Sequence, residues 1–243
     1  MELEEAVRRH GAGDAALEAI AWILDALAKE PDPHTTVPPE EWAAVHVADS
    51  LAALAIPAVR EAQAIADIGA GAGFPGLPLA AALARTRVVL VESAGRKVGL
   101  IERLIEAGGL TNARAIRARA EEWGAAEPSS EEPPSRSDGP SGREAYDVVV
   151  ARAVGPLALL AEYAAPLLRR DGVLVAWKGR RDREEEAAGA RAAERLGLEV
   201  EEVLPAEPYP GSRDRHLHLY RKLRPTPDGF PRRPGVAAKR PLG

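Results

Sequence analysis

From Gln63 onward the chain alternates short apolar runs with segments of helical periodicity, and this alternation restricts the fold more than any other feature. Runs such as VVLVE are continuously apolar, which is typical of parallel strands that are buried on both faces. Parallel strands need crossover connections, and the helical segments between the runs provide them. The predicted strands are Ala64–Ile68, Arg87–Glu92, Arg114–Ala118, Asp147–Ala151, Val173–Trp177, Glu199–Leu204 and His216–Lys222, and the predicted helices are Pro78–Arg85, Gly95–Ala107, Pro156–Arg169 and Arg183–Leu196.

The last two predicted strands have no helix between them. Only the turn-rich PAEPYPGSRDR separates them, which predicts that the final strand pairs antiparallel with its predecessor. Rossmann-like methyltransferases have a mostly parallel seven-stranded sheet that ends in such a hairpin. We therefore expect an α/β fold of this type, with an antiparallel last strand.

Two helices are predicted ahead of the sheet. One covers Asp14 to Lys29 with an apolar stripe, and the other begins at Pro38 or Pro39 and runs to about Ile56. We expect an N-terminal helical cap over residues 1–60, a methyltransferase domain over residues 61–224 and a basic C-terminal tail over residues 225–243. Residues 127–143 are rich in Pro, Ser, Gly and acid, and they are predicted to form a disordered insertion.

The composition restricts both the chemistry and the location of the protein. Cysteine is absent, which excludes disulfides, thiolate metal sites and a cysteine nucleophile, and we expect no metal. The first five residues include three Glu where a secretory signal would be basic, and no apolar run is long enough to cross a bilayer. We therefore expect a cytoplasmic protein with no membrane partner, and we also expect a monomer. The net charge is −5, but from Arg213 onward nine Arg and Lys face two Asp, so this segment carries +7.

The stretch DIGAGAGFPGLPLA follows the first predicted strand and has two interpretations. Gly71, Gly73 and Gly76 spell G-x-G-x-x-G, the pattern of dinucleotide-binding turns. Asp67, Gly69, Gly71 and Gly73 spell D-x-G-x-G-x-G, the pattern of turns that hold S-adenosylmethionine. Glycines at a strand-to-helix turn let a ligand approach the backbone, so alone they indicate only a nucleotide-like ligand or a tight turn without one.

The residues around the glycines favour S-adenosylmethionine. Asp67 ends the strand, where its carboxylate can accept bonds from loop amides or from a water at the amino-acid end of the cofactor, whereas it would repel a pyrophosphate. Phe74, Pro75 and Pro78 are expected to push the next helix away, which removes the helix N-terminus that phosphates prefer. Glu92 ends the next strand at about the 20-residue interval at which an acid meets ribose hydroxyls, although it can also be an ordinary strand-end acid.

The glycine stretch is one part of a longer pattern. The pattern runs through HVADSL, DIGAGAGFPGLPLA, VLVESAGRKVGLIERLIEAGGLTNA, RAEEW, YDVVVARAVGPL, WKG and FPRRPGVAAKRPL. It resembles the GidB/RsmG family of bacterial ribosomal RNA methyltransferases from about Trp42 to the end, apart from the Pro/Ser-rich insertion. F-P-G-x-P after the glycine turn is the most specific element of the resemblance.

The resemblance implies methylation of N7 of a guanine in small-subunit (16S) ribosomal RNA, with S-adenosylmethionine as the methyl donor. The family's cofactor-contacting positions match Gly69, Phe74, Ala120, Glu121 and Arg152 by motif. With the residues argued above, the predicted cofactor-binding set is Asp67, Gly69, Gly71, Phe74, Glu92, Ala120, Glu121 and Arg152.

Arg152 is informative without the resemblance as well. It stands in Ala-Arg-Ala-Val, where methyltransferases of exocyclic amines have an Asn/Asp-Pro-Pro-aromatic turn and those of ribose hydroxyls have an acid or a lysine set. Guanine N7 presents an in-plane lone pair and needs placement rather than a general base. The absence of cysteine also removes the cytosine-C5 mechanism, which needs a thiolate adduct. Arg152 is thus the candidate catalytic residue near the transferred methyl, and pairing with Glu162 or Glu92 is the alternative.

Basic residues near the same edge of the sheet are predicted to contact RNA. Lys178 ends the fifth strand, where ligands bind in open α/β folds, although it can equally be a surface lysine. Arg213 and His216 lie at the start of the last strand and match positions that the family retains. The face of that strand with His216, His218, Tyr220 and Lys222 is polar enough to be solvated.

The tail is predicted to act as a phosphate clamp through Arg232, Arg233, Lys239 and Arg240. Its removal is then expected to weaken RNA binding while leaving cofactor binding intact, because phosphate contacts give affinity independently of the cofactor. A solvated, disordered tail is the alternative.

His46 and Asp49 lie one helical turn apart, and they either orient the cap over the RNA site or form a buried pair. Two such residues are too few for a metal site.

Two other functions remain open at this point. A nicotinamide-dependent oxidoreductase is supported only by the G-x-G-x-x-G spacing. A non-catalytic RNA-binding module with a relic methyltransferase fold is the other, and the intact Asp67, Glu92 and Arg152 argue against it.

Overall fold

A computed structural model of the chain describes residues 1–125 and 142–243. Seven strands in these ranges form one sheet with the order β3-β2-β1-β4-β5-β7-β6. Their bounds are β1 Ala64–Ile68, β2 Arg87–Glu92, β3 Ala113–Arg117, β4 Tyr146–Arg152, β5 Leu168–Lys178, β6 Leu198–Pro205 and β7 His216–Lys222. The first five strands are parallel, and β7 is antiparallel to both β5 and β6. The expected α/β architecture with its antiparallel last strand is confirmed.

The α-helices of the described residues are α1 Leu3–Arg9, α2 Asp14–Ala28, α3 Asp49–Leu51, α4 Pro57–Arg60, α5 Gly76–Ala82, α6 Gly95–Ala107, α7 Ala120–Ala125, α8 Leu157–Ala164, α9 Arg183–Arg195 and α10 Val236–Lys239. The prediction that α8 extends to Arg169 is wrong, because Leu168 pairs with Tyr146 and already begins β5. No helix in these two ranges is long and apolar enough to span a membrane.

Helices cover both faces of the sheet, because alternate strand residues point in opposite directions. Ile65, Leu90 and Val150 face a core that they share with the N-terminal helices and α5. The intervening residues, such as Val89 and Val149, face a second core under α8 and α9. Residues 1–60, predicted as a cap, therefore supply much of the helical layer on one face.

The second N-terminal helix is irregular, although the sequence predicts one continuous helix from Pro38 or Pro39 to Ile56. A 3₁₀ turn at Pro39–Glu41 leads into a π-helical stretch at Trp42–Ala48, then α3, and a 3₁₀ turn at Ala52–Ala55 follows. Side chains from the sheet bond to carbonyls in this run: Arg152 Nη1 to Val45 O and Trp177 Nε1 to Asp49 O, both at 2.9 Å. These two carbonyls accept bonds from the sheet, and π-helical turns are frequent at functional sites.

The C-terminal residues pack against the fold. Ala237 is 1% exposed, and Phe230 and Leu242 contact the core under α8 and α9. The expectation that one face of β7 is solvated is also wrong, since His218, Tyr220 and Lys222 are at most 2% exposed there. The Lys222 ammonium donates to the carbonyl of Ala165, just beyond α8, which shows that helices cover this face. Of the predicted insertion, residues 127–141 lie outside the described residues.

Candidate functional site

The glycine turn after β1 has the backbone that its sequence requires. Gly69 has φ +66°, and a Cβ atom there would lie 2.8 Å from a Val154 methyl. Gly71 has φ +61°, and its N–H donates to Glu92 Oε2 at 3.1 Å. Side chains are disfavoured at both positions, which explains why glycine occupies them.

The expectation that Phe74, Pro75 and Pro78 hold the next helix away from the turn is wrong, because α5 begins at Gly76. Asp67 Oδ2 accepts from the Gly76 N–H at 2.8 Å, so a carboxylate already lies at the positive end of this helix. A phosphate there would meet a carboxyl group that already accepts the Gly76 N–H, instead of a free N-terminus. The preference for a cationic ligand over a dinucleotide therefore holds, for a different reason than the sequence suggested.

Asp67 keeps one oxygen atom without a partner. Oδ1 is buried and accepts no hydrogen bond from the described residues. Burial raises the pKa of Asp67 to about 7, against the opposing effects of the Gly76 N–H and the charge of Arg152. An orphaned carboxylate oxygen under the turn fits a cofactor with a cationic amino-acid end, because a donor or a positive charge would satisfy it.

Next to the turn is a cavity of about 120 Å³ whose lining includes two buried carboxylates. Glu92 is 7% exposed and Glu121 is 3% exposed. Glu92 Oε1 accepts from the Ala94 N–H at 2.9 Å, which fixes the carboxylate at the end of β2. Ala118, Ala120 and Val154 also line the cavity. Two carboxylates and small apolar side chains in one cavity fit an adenosine, whose ribose hydroxyls and adenine amine are donors. We call this the adenosine cavity.

A second cavity of about 230 Å³ adjoins it and shares the backbone of Gly69. Gly71, Phe74, His46, Lys97 and Arg152 are among its lining residues. The two cavities form an elongated site along the carboxyl edge of the sheet, where open α/β folds bind ligands. All the predicted cofactor residues except Asp67 line this site. Asp67 is buried beside the turn and accepts from the Gly76 N–H.

Arg152 is bound by the N-terminal helices. Its Nη1 donates to Asp49 Oδ2 and to the carbonyl of Val45, both at 2.9 Å, and Nη2 lies 3.3 Å from His46 Nδ1. The Asp49 side chain is 4% exposed and that of Arg152 is 15% exposed. Neither Glu162 nor Glu92, the partners considered from the sequence, bonds to it among the described contacts. His46 and Asp49 share Arg152 as a common partner.

His46 is held as a neutral imidazole. Burial, followed by the charge of Arg152, lowers the pKa of His46 to about 4. Its Nε2 lies 2.8 Å from Thr35 Oγ1, and its ring stacks on Phe74 with centroids 4.3 Å apart. Because Nδ1 accepts from Arg152, Nε2 carries the proton, and both ring nitrogens are engaged.

Ala153 follows Arg152 with φ +58°, which is unusual for a residue with a side chain. Such backbone is concentrated at functional sites. Arg152 and Ala153 line both the second cavity and a third one of about 240 Å³.

This third cavity contains two of the predicted RNA contacts, Lys178 and His216. Lys178 Nζ pairs with Glu185 at 2.6 Å, and His216 Nδ1 donates to the carbonyl of Gly179 at 2.9 Å. Arg215, not predicted as a contact, also lines it. Arg213 is exposed outside the cavity.

The predicted clamp residues of the tail divide into two kinds. Arg232 is engaged inside the protein by a two-point ion pair with Glu162 at 2.5 and 2.6 Å. Arg233, Lys239 and Arg240 have exposed side chains. Only these three are available to a phosphate without breaking an internal ion pair.

Sequence reasoning missed four cations at the carboxyl ends of β2 and β3: Arg96, Lys97, Arg117 and Arg119. Lys97 lines the second cavity and Arg119 the adenosine cavity, while Arg117 packs against Gly95 at the start of α6. No carboxylate in the described ranges forms a salt bridge with any of them. The sequence did contain one signal of a cationic surface here. Arg96 and Lys97 lie in the first turn of α6, where the helix dipole disfavours cations.

Comparison with known proteins identifies the family. The model of the family described as rRNA small subunit methyltransferase G matches residues 34–217. Proteins named ribosomal RNA small subunit methyltransferase G are similar along most of the chain. The one from Pelotomaculum thermopropionicum is 41% identical, covering 83% of this chain and 79% of its own. The one from Bacillus subtilis is 36% identical, covering 81% and 77%.

Solved structures agree on the fold. The mitomycin 7-O-methyltransferase MmcR superposes with a TM-score of 0.56 at 16% identity, covering 90% of this chain and 66% of its own. A predicted O-methyltransferase from Agrobacterium tumefaciens superposes with a TM-score of 0.51 at 22% identity, covering 72% and 80%. With the family model and the relatives above, these results show that the chain belongs to the rRNA small subunit methyltransferase G family.

Proposed function

We propose that this protein transfers the methyl group of S-adenosylmethionine to N7 of a guanine in 16S ribosomal RNA. Family membership supports the cofactor, the RNA substrate and the reaction. The observation that carries the choice of atom is the environment of Arg152, where Asp49 and His46 are both bonded to the guanidinium. Asp49 and His46, the acid and the imidazole nearest Arg152, are therefore not free to act as a general base. This suits an acceptor atom that needs no general base.

When bound, S-adenosylmethionine supplies an electrophilic methyl carbon on a positively charged sulfur. The N7 lone pair of guanine forms the new N–C bond as the C–S bond breaks, so no proton has to leave. The protein then has to align donor and acceptor and exclude water. Effective alignment alone can contribute about 7–11 kcal/mol to lowering a barrier.

Arg152 is the proposed alignment residue, because it lines both the second cavity and the third. Guanine presents its O6 acceptor beside N7, and arginine is the side chain that most often binds this edge of the base. A guanidinium held by Asp49 and Val45 can bind O6 and leave the N7 lone pair facing the methyl. The Asp49 carboxylate also balances the charge of Arg152 as the methylated base becomes cationic.

The cavities assign the remaining parts of the site. We propose that Glu92 accepts from the ribose hydroxyls, that Glu121 and Ala120 face the adenine, and that Asp67 faces the amino-acid end. The third cavity, with Lys178 and His216, is the proposed position of the target guanine, and Arg213 is proposed to contact RNA outside it.

The four cations at the ends of β2 and β3 extend the proposed RNA surface to the other side of the cofactor site. Phosphate contacts weaken as salt rises, and each one adds to the salt dependence of binding. Lys97→Ala is expected to lower the slope of log Kd against log salt by about one. Glu102→Ala, on the exposed side of the same helix, is the control.

The oxidoreductase alternative is not favoured, because Asp67 lies where a dinucleotide would place its phosphates. The relic alternative has no support in the site, where the carboxylates, the turn and Arg152 are all in place. Our proposal includes a monomer that acts in the cytoplasm on ribosomal RNA. Sedimentation of the purified protein and fractionation of cells test these two points.

Mapping N7-methylguanine in 16S RNA from cells with and without the gene tests the function. Borohydride reduction followed by aniline cleaves the RNA at this modified base. We expect one cleavage site to disappear with the gene and to return with the wild-type gene but not with a variant carrying Arg152→Ala. An unchanged cleavage pattern would contradict the proposal.

A further inference from the structure

The C-terminal segment, residues 225–243, reaches the adenosine cavity. The Gly235 N–H donates to Glu121 Oε1 at 2.9 Å. Glu121 is one of the two buried carboxylates of that cavity and is 3% exposed. A buried carboxylate takes the orientation that its donors give it, so this backbone amide helps to fix Glu121.

Arg232 anchors the segment to α8. Its Nε and Nη2 donate to the two oxygens of Glu162, whose side chain is 1% exposed. Planar two-point pairing with a buried carboxylate fixes both position and angle. Arg232 Nη2 also donates to the carbonyl of Arg240 at 2.8 Å, which ties the two ends of the segment together.

Two neighbouring residues of α8 connect the anchored segment with the adenosine cavity. Glu162 binds Arg232, and the next residue, Tyr163, lines the adenosine cavity. Partial burial, then the charge of Glu121 and a hydrogen bond to it, raise the pKa of Tyr163 to about 12. Glu121 therefore receives a hydrogen bond from the segment that α8 anchors, and it lines the same cavity as Tyr163 of α8.

We propose that residues 225–243 complete the cofactor site, with Arg232 and the amide of Gly235 as positioning groups that hold Glu121 toward the adenosine. This inference rests on the proposed function, since it takes Glu121 as a cofactor contact. It reverses the expectation that removing the tail leaves cofactor binding intact. The residues of the segment that bind RNA are then its exposed cations, Arg233, Lys239 and Arg240.

The test compares two arginines of the same segment. Arg232→Met keeps an unbranched side chain of similar length and removes both bonds to Glu162, whereas Arg233→Met removes the same charge from an exposed position. We expect Arg232→Met to weaken S-adenosylmethionine binding about tenfold in calorimetry, because it disturbs a hydrogen bond to a charged group. We expect Arg233→Met to leave that affinity unchanged and to weaken binding of a 16S RNA fragment.

A double variant separates positioning from stability. Arg232→Met leaves Glu162 buried and unpaired, which lowers the unfolding temperature by itself. Adding Glu162→Met removes that unpaired charge, so the unfolding temperature recovers while the segment stays unanchored. We expect cofactor affinity to remain weak in the double variant, with a raised KM for S-adenosylmethionine and kcat within about twofold of wild type at saturating cofactor.

The outcomes are distinguishable. The positioning role is refuted if Arg232→Met and the double variant both bind S-adenosylmethionine as the wild type does. It is also refuted if the double variant recovers its cofactor affinity together with its unfolding temperature. In either case the proposed function stands. If the wild-type protein itself binds no S-adenosylmethionine, the proposed function fails and this inference fails with it.

Discussion

Replacing Asp49 by Asn tests the contact that links the N-terminal helices to the site. The substitution keeps the shape of the side chain and an acceptor oxygen for Arg152, but removes the negative charge. Asp49 Oδ2 lies 2.9 Å from Arg152 Nη1, and both side chains are largely buried. The change therefore isolates the effect of the charge in a buried ion pair.

The expected magnitude follows from this burial. A hydrogen bond to a charged partner contributes about 1.5–3 kcal/mol, compared with about 1 kcal/mol for a neutral one. Breaking a buried pair entirely costs roughly 3–5 kcal/mol, which is the upper bound because Asn still accepts. We expect the free energy of unfolding to fall by about 1–2 kcal/mol and the single-turnover methylation rate to fall about tenfold to a hundredfold.

The assay combines urea unfolding, calorimetry with S-adenosylmethionine and single-turnover methylation of 16S RNA. Cofactor affinity should change less than the methylation rate, since Asp49 itself lines the third cavity and reaches the cofactor cavities only through Arg152. Asp14→Asn is the matched control, because Asp14 pairs with Arg8 at 2.5 Å but is 84% exposed. Exposed pairs contribute about 0–1 kcal/mol, so the control should resemble wild type. A wild-type methylation rate for Asp49→Asn would refute the role assigned to the pair.

Three further predictions concern pH and backbone. Asp67 has a folded pKa of about 7, raised from 3.8, so the stability that it contributes is present below pH 3.8 and is lost as pH rises through 7. Because the cationic cofactor favours the carboxylate, its affinity should rise with pH up to about 7, and calorimetry should find this dependence missing in Asp67→Asn. Gly69→Ala should lower both the unfolding temperature and cofactor affinity more than Gly11→Ala, which has a similar positive φ but no atom within 4 Å. Lys222, whose pKa burial lowers from 10.5 to about 8, binds fewer protons when folded. The free energy of unfolding in urea should therefore rise between pH 8 and 10, and Lys222→Met should reduce that rise; an identical rise in the variant would show that other groups cause it.

Much of the fold could be predicted because buried parallel strands leave continuous apolar runs in a sequence. β1, β2 and β7 have the predicted bounds, and the other strands differ only at their ends. β5 is the largest exception, since three polar, exposed residues, Arg169 to Asp171, separate its buried first residue Leu168 from the apolar run. Its extension back to Leu168 depends on pairing with Tyr146, which no local pattern indicates.

The candidate site was predictable where its chemistry is local. The glycine turn, Asp67 and Glu92 lie within one strand–helix–strand unit, so their spacing carries the information. The partner of Arg152 could not be found this way, because Asp49 lies 103 residues earlier in the chain. The role of the C-terminal segment was hidden for the same reason, since Arg232 and Glu162 are 70 residues apart and the local composition shows only a basic tail.

The most direct test of the central claim is methyl transfer with purified protein. Small ribosomal subunits or 16S RNA from cells that lack the gene would be incubated with S-adenosylmethionine carrying a deuterated methyl group, and the digested nucleosides analysed by mass spectrometry. We expect deuterated N7-methylguanosine at one position with the wild-type protein, and none with Arg152→Ala. Transfer to another atom, or no transfer to either substrate, would contradict the central claim.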